Sequence, residues 1–358
     1  MIPRAIPPFV RKLAGFYPVV TILGPRQSGK TTLAKALFPA HEYRSLEAED
    51  IRLAARDDPR GFLANGTKPM VIDEVQRFPS LLTYIQEMAD ARGEKGQYIL
   101  TGSQQPDLAA AIGESLAGRT GICELLPLSL GELDAAGLAA DTARDALLWR
   151  GFMPRLWADD APIDPATYYR DYFQTYVQRD VRRLVNIQDL DTFSVFVRLL
   201  AGRAGQLLNR DSLARDAGIS VPTAVKWLNA LEASFLVFRL RPWHGNLGSR
   251  QIKSPKIYFT DVGLAAYLLG IETSGQMIRD PLRGNTQLNW DYRDFKNLGP
   301  KPSAADMLVT LTMPEKEIKL GVKLNYLTND SDWEERTRVS DKYREVNFDE
   351  ILKRFMAL

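Results

Sequence analysis

Eight residues, Gly24-Pro25-Arg26-Gln27-Ser28-Gly29-Lys30-Thr31, lie between the apolar run Val19-Val20-Thr21-Ile22-Leu23 and an amphipathic segment from Thr31 to Leu37. The β-branched run reads as a buried strand that stops at Gly24, and the segment after it as a helix. The octet fits G-x-x-x-x-G-K-[ST] without deviation, in the strand-to-helix position that the pattern requires. Its glycines let backbone N–H groups turn inward around phosphate oxygens, and the helix start adds the positive end of its dipole. The expected phosphate-binding set is Gly24, Pro25, Arg26, Gln27, Ser28, Gly29, Lys30, Thr31 and Thr32. Lys30 would reach the β and γ phosphates of a nucleotide, and the Thr31 hydroxyl would ligate Mg²⁺.

Two further strand ends belong to the same chemistry. Pro69-Met70-Val71-Ile72-Asp73-Glu74 is an interior strand that leaves two acids at its carboxyl end. Asp73 is expected to hold Mg²⁺, directly or through water, and Glu74 to orient and polarise an attacking water. Tyr98-Ile99-Leu100-Thr101-Gly102-Ser103 ends in small hydroxyl residues, and Ser103 is the expected sensor of the γ-phosphate or lytic water. Transition-state charge also calls for an arginine. The candidates are Arg119, Arg155, Arg179 and, inside the loop, Arg26. Strands alternating with helices predict a mostly parallel α/β sheet, whose sites lie at the carboxyl ends of its strands. An extra strand between the loop and the two acids resembles the additional-strand ATPase class, which includes the AAA+ proteins.

Composition narrows the alternatives. A chain of 358 residues is long enough for two to three domains. No run of about 18 apolar residues exists, and the start, Met1-Ile2-Pro3-Arg4-Ala5-Ile6-Pro7-Pro8, lacks the apolar core of a secretory signal. The single cysteine cannot pair within the chain and, with only two histidines, leaves no zinc set. The expectation is a cytoplasmic protein with Mg²⁺ as its metal and no membrane partner.

From about Leu147 the pattern turns helical. Tyr168–Leu184 and Thr192–Arg203 read as helices, and Arg210–Ala217 and Pro222–Ala233 as a helix–turn–helix around Gly218. The β-rich pieces Leu236–Pro242 and Ile257–Thr260 would complete a winged arrangement. Formal net charge is only +2, yet Arg170–Lys256 holds 14 Lys and Arg against 7 Asp and Glu. Such an excess is what a phosphate-backbone footprint would show. Thr223, Lys226, Arg250 and Lys253 are the candidate contacts to duplex DNA. A basic face of this kind also suits packing or protein contacts.

Taken together, Gly24–Thr31, Val71–Gln76, Leu100–Ser103, Ser115–Arg119, Leu126–Ser129 and Tyr258–Leu264 resemble the prokaryotic AAA-like ATPases that carry a DUF4143 region. The likeness spans roughly Pro18 to Gly284. It implies an AAA-type domain over residues 1–146, a winged-helix domain over 147–272 and a truncated nuclease-like α+β region over 273–358. It also implies ATP as the nucleotide. In the last region, Asp306, Glu317 and Lys319 form a candidate D…(D/E)-x-K remnant, and an inactive remnant is the expectation. The leading reading is therefore a Mg²⁺-dependent ATPase coupled to a winged-helix module, acting as a monomer or a homo-oligomer according to where its arginine comes from. An ATP-switched DNA- or protein-binding regulator with negligible turnover is the first alternative, and an ATPase-linked restriction-like nuclease the second.

Overall fold

A computed structural model describes residues 2–64, 69–103, 106–139, 142–158, 163–181, 189–240, 254–279, 309–312 and 319–322. Helix α1 (Pro7–Phe16) leads into strand β1 (Val19–Leu23), and the glycine loop into α2 (Lys30–Leu37). Then come β2 (Glu42–Ser45), α3 (Glu49–Asp57), α4 (Pro59–Ala64), β3 (Met70–Asp73), α5 (Leu81–Arg92), β4 (Tyr98–Gly102), α6 (Pro106–Ser115) and β5 (Thr120–Glu124). The five strands form one parallel sheet in the order β2-β3-β4-β1-β5. Strand β4 separates β1 from β3, which is the additional strand expected from the sequence.

Alternation along β1 shows why both faces are covered. Val20 and Ile22 enter a cluster with Val10 and Leu13 of α1 and Leu33 and Ala34 of α2. Val19 and Leu23 enter the opposite cluster with Leu81, Leu82 and Ile85 of α5 and Ile112 of α6. A strand buried on both faces must be apolar at nearly every position, and β1 and β4 are buried throughout.

The rest of the described chain is mostly helical. Helices α7 (Leu130–Ala135), α8 (Arg144–Arg150) and α9 (Pro165–Tyr172) precede a π-helical stretch, Phe173–Val181. Next are α10 (Leu190–Ala201), α11 (Arg210–Asp216), α12 (Val221–Ala233), the antiparallel pair β6 (Val237–Leu240) and β7 (Lys256–Phe259), and α13 (Val262–Leu268). These elements share one core, where Trp227 meets Phe193 and Phe196 edge-on at 5.2 and 5.3 Å. The single helix read over Tyr168–Leu184 is thus α9 followed by wider π turns. A two-stranded antiparallel pair, β8 (Val309–Thr312) and β9 (Lys319–Val322), is described near the end of the chain. The helix expected over Phe348–Met356 lies outside the described residues. Among the described residues no helix is long and apolar enough to cross a membrane.

Asp261, 2% exposed, fixes the turn between α8 and α9. Its carboxylate accepts from the N–H groups of Phe152 (2.8 Å), Gly263 (2.9 Å) and Leu264 (3.2 Å) and from the Tyr169 hydroxyl (2.6 Å). It caps α13 and ties the start of the 3₁₀ turn region Pro154–Trp157 to that helix. Removing such an acceptor strands several buried donors. Asp261→Ala is therefore expected to lower unfolding free energy by about 3 kcal/mol in denaturant titration, and a loss below about 1 kcal/mol would contradict this role.

Candidate functional site

Where β1 ends, the chain turns sharply at Gly24 (φ +156°), where an added Cβ would lie 2.1 Å from the Leu125 carbonyl oxygen. Only glycine fits, so the loop starts close against the strand-end of β5. Gly29 (φ +93°) closes the turn and caps α2. Lys30, 5% exposed, folds back inside the loop and its ammonium donates to the carbonyls of Gly24 (3.1 Å) and Pro25 (2.7 Å). Burial pushes its pKa down to about 8, against the opposing pull of Glu74 and Asp73. The Ser28 hydroxyl is buried and has no partner among the described residues.

Asp73 ends β3 almost fully buried, and three hydroxyls converge on it. Thr31 of α2 donates at 3.0 Å to both oxygens, Tyr43 of β2 at 2.7 Å, and Thr101 of β4 to Oδ1. Desolvation, followed by the Asp73 carboxylate, raises the Tyr43 phenol to about 12, so it stays a donor. The Lys35 ammonium sits 3.5 Å over the Tyr43 ring. Glu74 follows in a left-handed conformation (φ +57°), and the Gln76 side-chain amide donates to its carboxylate. Ser103 lies just past β4 with its hydroxyl buried and without a partner among the described residues. Of the hydroxyls on this strand, Thr101 contacts the acid directly and Ser103 does not.

Several of these groups, Gly29, Lys30, Thr31 and Glu74, border a cleft of about 1200 Å³, above the usual range for a small-molecule pocket. Arg26, Gln27, Lys30, Thr31, Thr32 and Glu74 form one side of it. Arg155 and Trp157, from the turn that Asp261 anchors, line another part, with Ile2, Pro3 and Arg4 from the chain start. Arg4 is a residue that sequence reasoning missed. Its guanidinium donates to the carbonyls of Ser28 (2.9 Å) and Leu126 (2.6 Å) and pairs with Glu132 at 3.0 Å. Glu132 in turn completes the capping box of α7 with Ser129. Nothing local marks Arg4, because its partner lies 128 residues away.

The arginine candidates separate clearly. Arg119 precedes β5, and its carbonyl accepts from Val19 N–H at the start of β1. It therefore sits at the amino edge of the sheet, about one strand length (~15 Å) from the glycine loop, and pairs with Asp90 at 2.6 Å. It is not among the residues that line this chain's own cleft. Arg155 lines the cleft, and Arg26 lies with its guanidinium carbon 5.6 Å from the Tyr176 ring centre. The Arg179 side chain lies outside the described residues.

The remaining expected contacts are less assembled. The Thr223 N–H and hydroxyl are engaged with the Ser220 side chain at the start of α12, and Lys226 is exposed. Arg239 of β6 is ion-paired with Glu232. Arg250, Lys253, Asp306 and Glu317 lie outside the described residues, and Lys319 is described only as the first residue of β9. Among the described residues no group of three or more His, Cys, Asp or Glu could hold a metal ion. A metal here would rest on Asp73, the Thr31 hydroxyl and the nucleotide itself.

Comparison with known proteins agrees with this geometry. A family model described as "AAA domain" matches residues 17–134, and one described as "Domain of unknown function (DUF8612)" matches residues 141–275. The second is the description that applies where the sequence resemblance points to a DUF4143 region. Among solved structures, the Walker-type ATPase paby2304 of Pyrococcus abyssi superposes with a TM-score of 0.51 at 14% identity, over 75% of this chain and 96% of that one. At that identity the likeness concerns the fold. Two curated relatives, "Uncharacterized protein Rv2008c" of Mycobacterium tuberculosis and "Uncharacterized protein Mb2031c" of Mycobacterium bovis, are each 32% identical over 309 residues, covering 86% of this chain and 68% of theirs. At 32% identity over those 309 residues, and with an AAA-type P-loop domain in its first part, the protein belongs to the family of these mycobacterial proteins.

Proposed function

We propose that the protein is a Mg²⁺-dependent ATPase whose nucleotide part, residues 1–146, is coupled to the helical part, 147–272. The observation that carries this reading is the convergence of Lys30, Thr31, Asp73 and Glu74 at one carboxyl edge of a parallel sheet, beside a cleft lined by Arg155. The match to the AAA domain supports ATP as the nucleotide.

The Ser28 hydroxyl, without a partner among the described residues, and the glycine-only turn at Gly24 fit phosphate oxygens. Lys30 exchanges its two loop carbonyls for the β and γ phosphates, gaining an anionic partner that favours its charged form. Thr31 and Asp73 would hold Mg²⁺, which would supply positive charge to offset that of the phosphates. Glu74 takes a proton from water as that water attacks the γ phosphorus, and the bond from phosphorus to the bridging β oxygen breaks to give ADP and phosphate. Gln76 fixes the Glu74 carboxylate, the Ser103 hydroxyl senses the γ-phosphate or lytic water, and Arg155 offsets developing charge from the same chain. With the arginine supplied in cis, a monomer turns over.

Glu74→Gln is expected to reduce kcat by roughly 10²–10³-fold while ATP still binds, and Lys30→Ala to abolish both binding and turnover. Wild-type turnover unaltered by either substitution would refute the reading. Tyr43→Phe removes a hydroxyl that orients a metal-binding carboxylate. It should raise the Mg²⁺ concentration that half-saturates ADP binding by roughly tenfold, measured by calorimetry at fixed ADP. An unchanged Mg²⁺ dependence would show that Tyr43 does not act on Asp73.

A further inference from the structure

The lip of the glycine loop is held from the helical part. Gln27 stands in a left-handed conformation (φ +62°), which costs a non-glycine residue energy and persists only where the surroundings impose it. Here the Tyr168 hydroxyl donates to Gln27 Oε1 at 2.5 Å, across 141 residues of sequence. The neighbouring Arg26 lies against the Tyr176 ring. Tyr168, Tyr172 and Tyr176 recur every four residues and form one aromatic column. Tyr168 stacks on Tyr172 at 6.1 Å, and Tyr172 meets Tyr176 edge-on at 5.2 Å. At its far end the Tyr176 hydroxyl donates to the Ser234 carbonyl, at the end of α12. The next residue, Phe235 (φ +55°), is buried in the sheet-side core with Leu126. The column therefore runs from the loop lip to a strained turn that is itself wedged into the nucleotide part.

We propose that Tyr168 and Tyr176 are positioning residues of the nucleotide site, setting the shape of the loop lip through Gln27 and Arg26. The role rests on the nucleotide reading above. Tyr168 spends its hydroxyl on Gln27, so the left-handed turn at Gln27 is formed before phosphate arrives. Tyr176 adds a second hold through Arg26. Linkage requires the reverse effect as well: phosphate in the loop steadies the column and, through Ser234, the end of α12.

The test is a double-mutant cycle on Mg·ADP affinity in the full chain, read by calorimetry for wild type, Tyr168→Phe, Gln27→Ala and the double variant. Tyr168→Phe keeps the stacked ring and loses one hydrogen bond, so ADP should bind roughly fivefold more weakly. The double variant should be no weaker than Gln27→Ala alone, because both changes cut the same contact. Tyr172→Phe removes a hydroxyl that has no partner among the described residues and should leave ADP affinity unchanged. The proposal is overturned if Tyr168→Phe binds ADP as wild type does, if the two effects add, or if Tyr172→Phe weakens binding equally. Wild type that fails to bind ADP overturns the nucleotide reading itself, whereas tight wild-type binding indifferent to Tyr168 overturns this inference alone.

Discussion

One buried carboxylate organises the site. Asp73 ends an interior strand in a position with little access to water, so its charge has to be met by donors from the protein. Those donors come from three different elements: Thr31 from α2, Tyr43 from β2 and Thr101 from β4. A parallel sheet makes this convergence possible, because strand ends that are distant in sequence become neighbours at one edge. The order β2-β3-β4-β1-β5 places β3 between the strands that carry Tyr43 and Thr101. The register sets Ser45 beside Asp73 and Leu100 beside Ile72, which brings Thr101 level with the acid. The same arrangement leaves Glu74 one residue beyond, at the cleft.

The glycine loop is held from both directions along the chain. Before it, Arg4 reaches the Ser28 carbonyl while paired with Glu132 of α7. A buried pair of this kind contributes little net stability, yet breaking it leaves a charge stranded, so it fixes geometry more than it adds energy. After it, Tyr168 and Tyr176 hold Gln27 and Arg26. The loop thus forms part of the boundary between the sheet and the helical core, and whatever fills it acts on both.

The glycine octet, the acids after β3 and the extra strand were legible in the sequence because each is local: a fixed spacing, a short apolar run, a strand end. Arg4, Tyr43 and Tyr168 were not, since their roles depend on partners 128, 30 and 141 residues away. Tyr43 reads as an ordinary strand residue until β2 is known to lie beside β3. Ser103 and Thr101 are two residues apart on one strand end, and only the register shows which of them meets Asp73. Arg119 and Arg155 look equivalent as sequence. What separates them is that one precedes a strand and the other lies in the 3₁₀ turn anchored by Asp261. The helical core was legible as helices, but the π turns after Tyr172 carry no local signature in Phe173–Val181.

The central claim is that a single Mg·ATP fills the cleft lined by the chain start, the glycine loop, Glu74 and the turn bearing Arg155. Hydrogen–deuterium exchange on the full chain, with and without Mg·ATP, tests it most directly. The account predicts slowed exchange in three separate segments: 24–32 in the glycine loop, 70–74 at the end of β3, and 153–157 in the turn bearing Arg155. Unchanged exchange across all three, with ATP well above millimolar concentration, would contradict it.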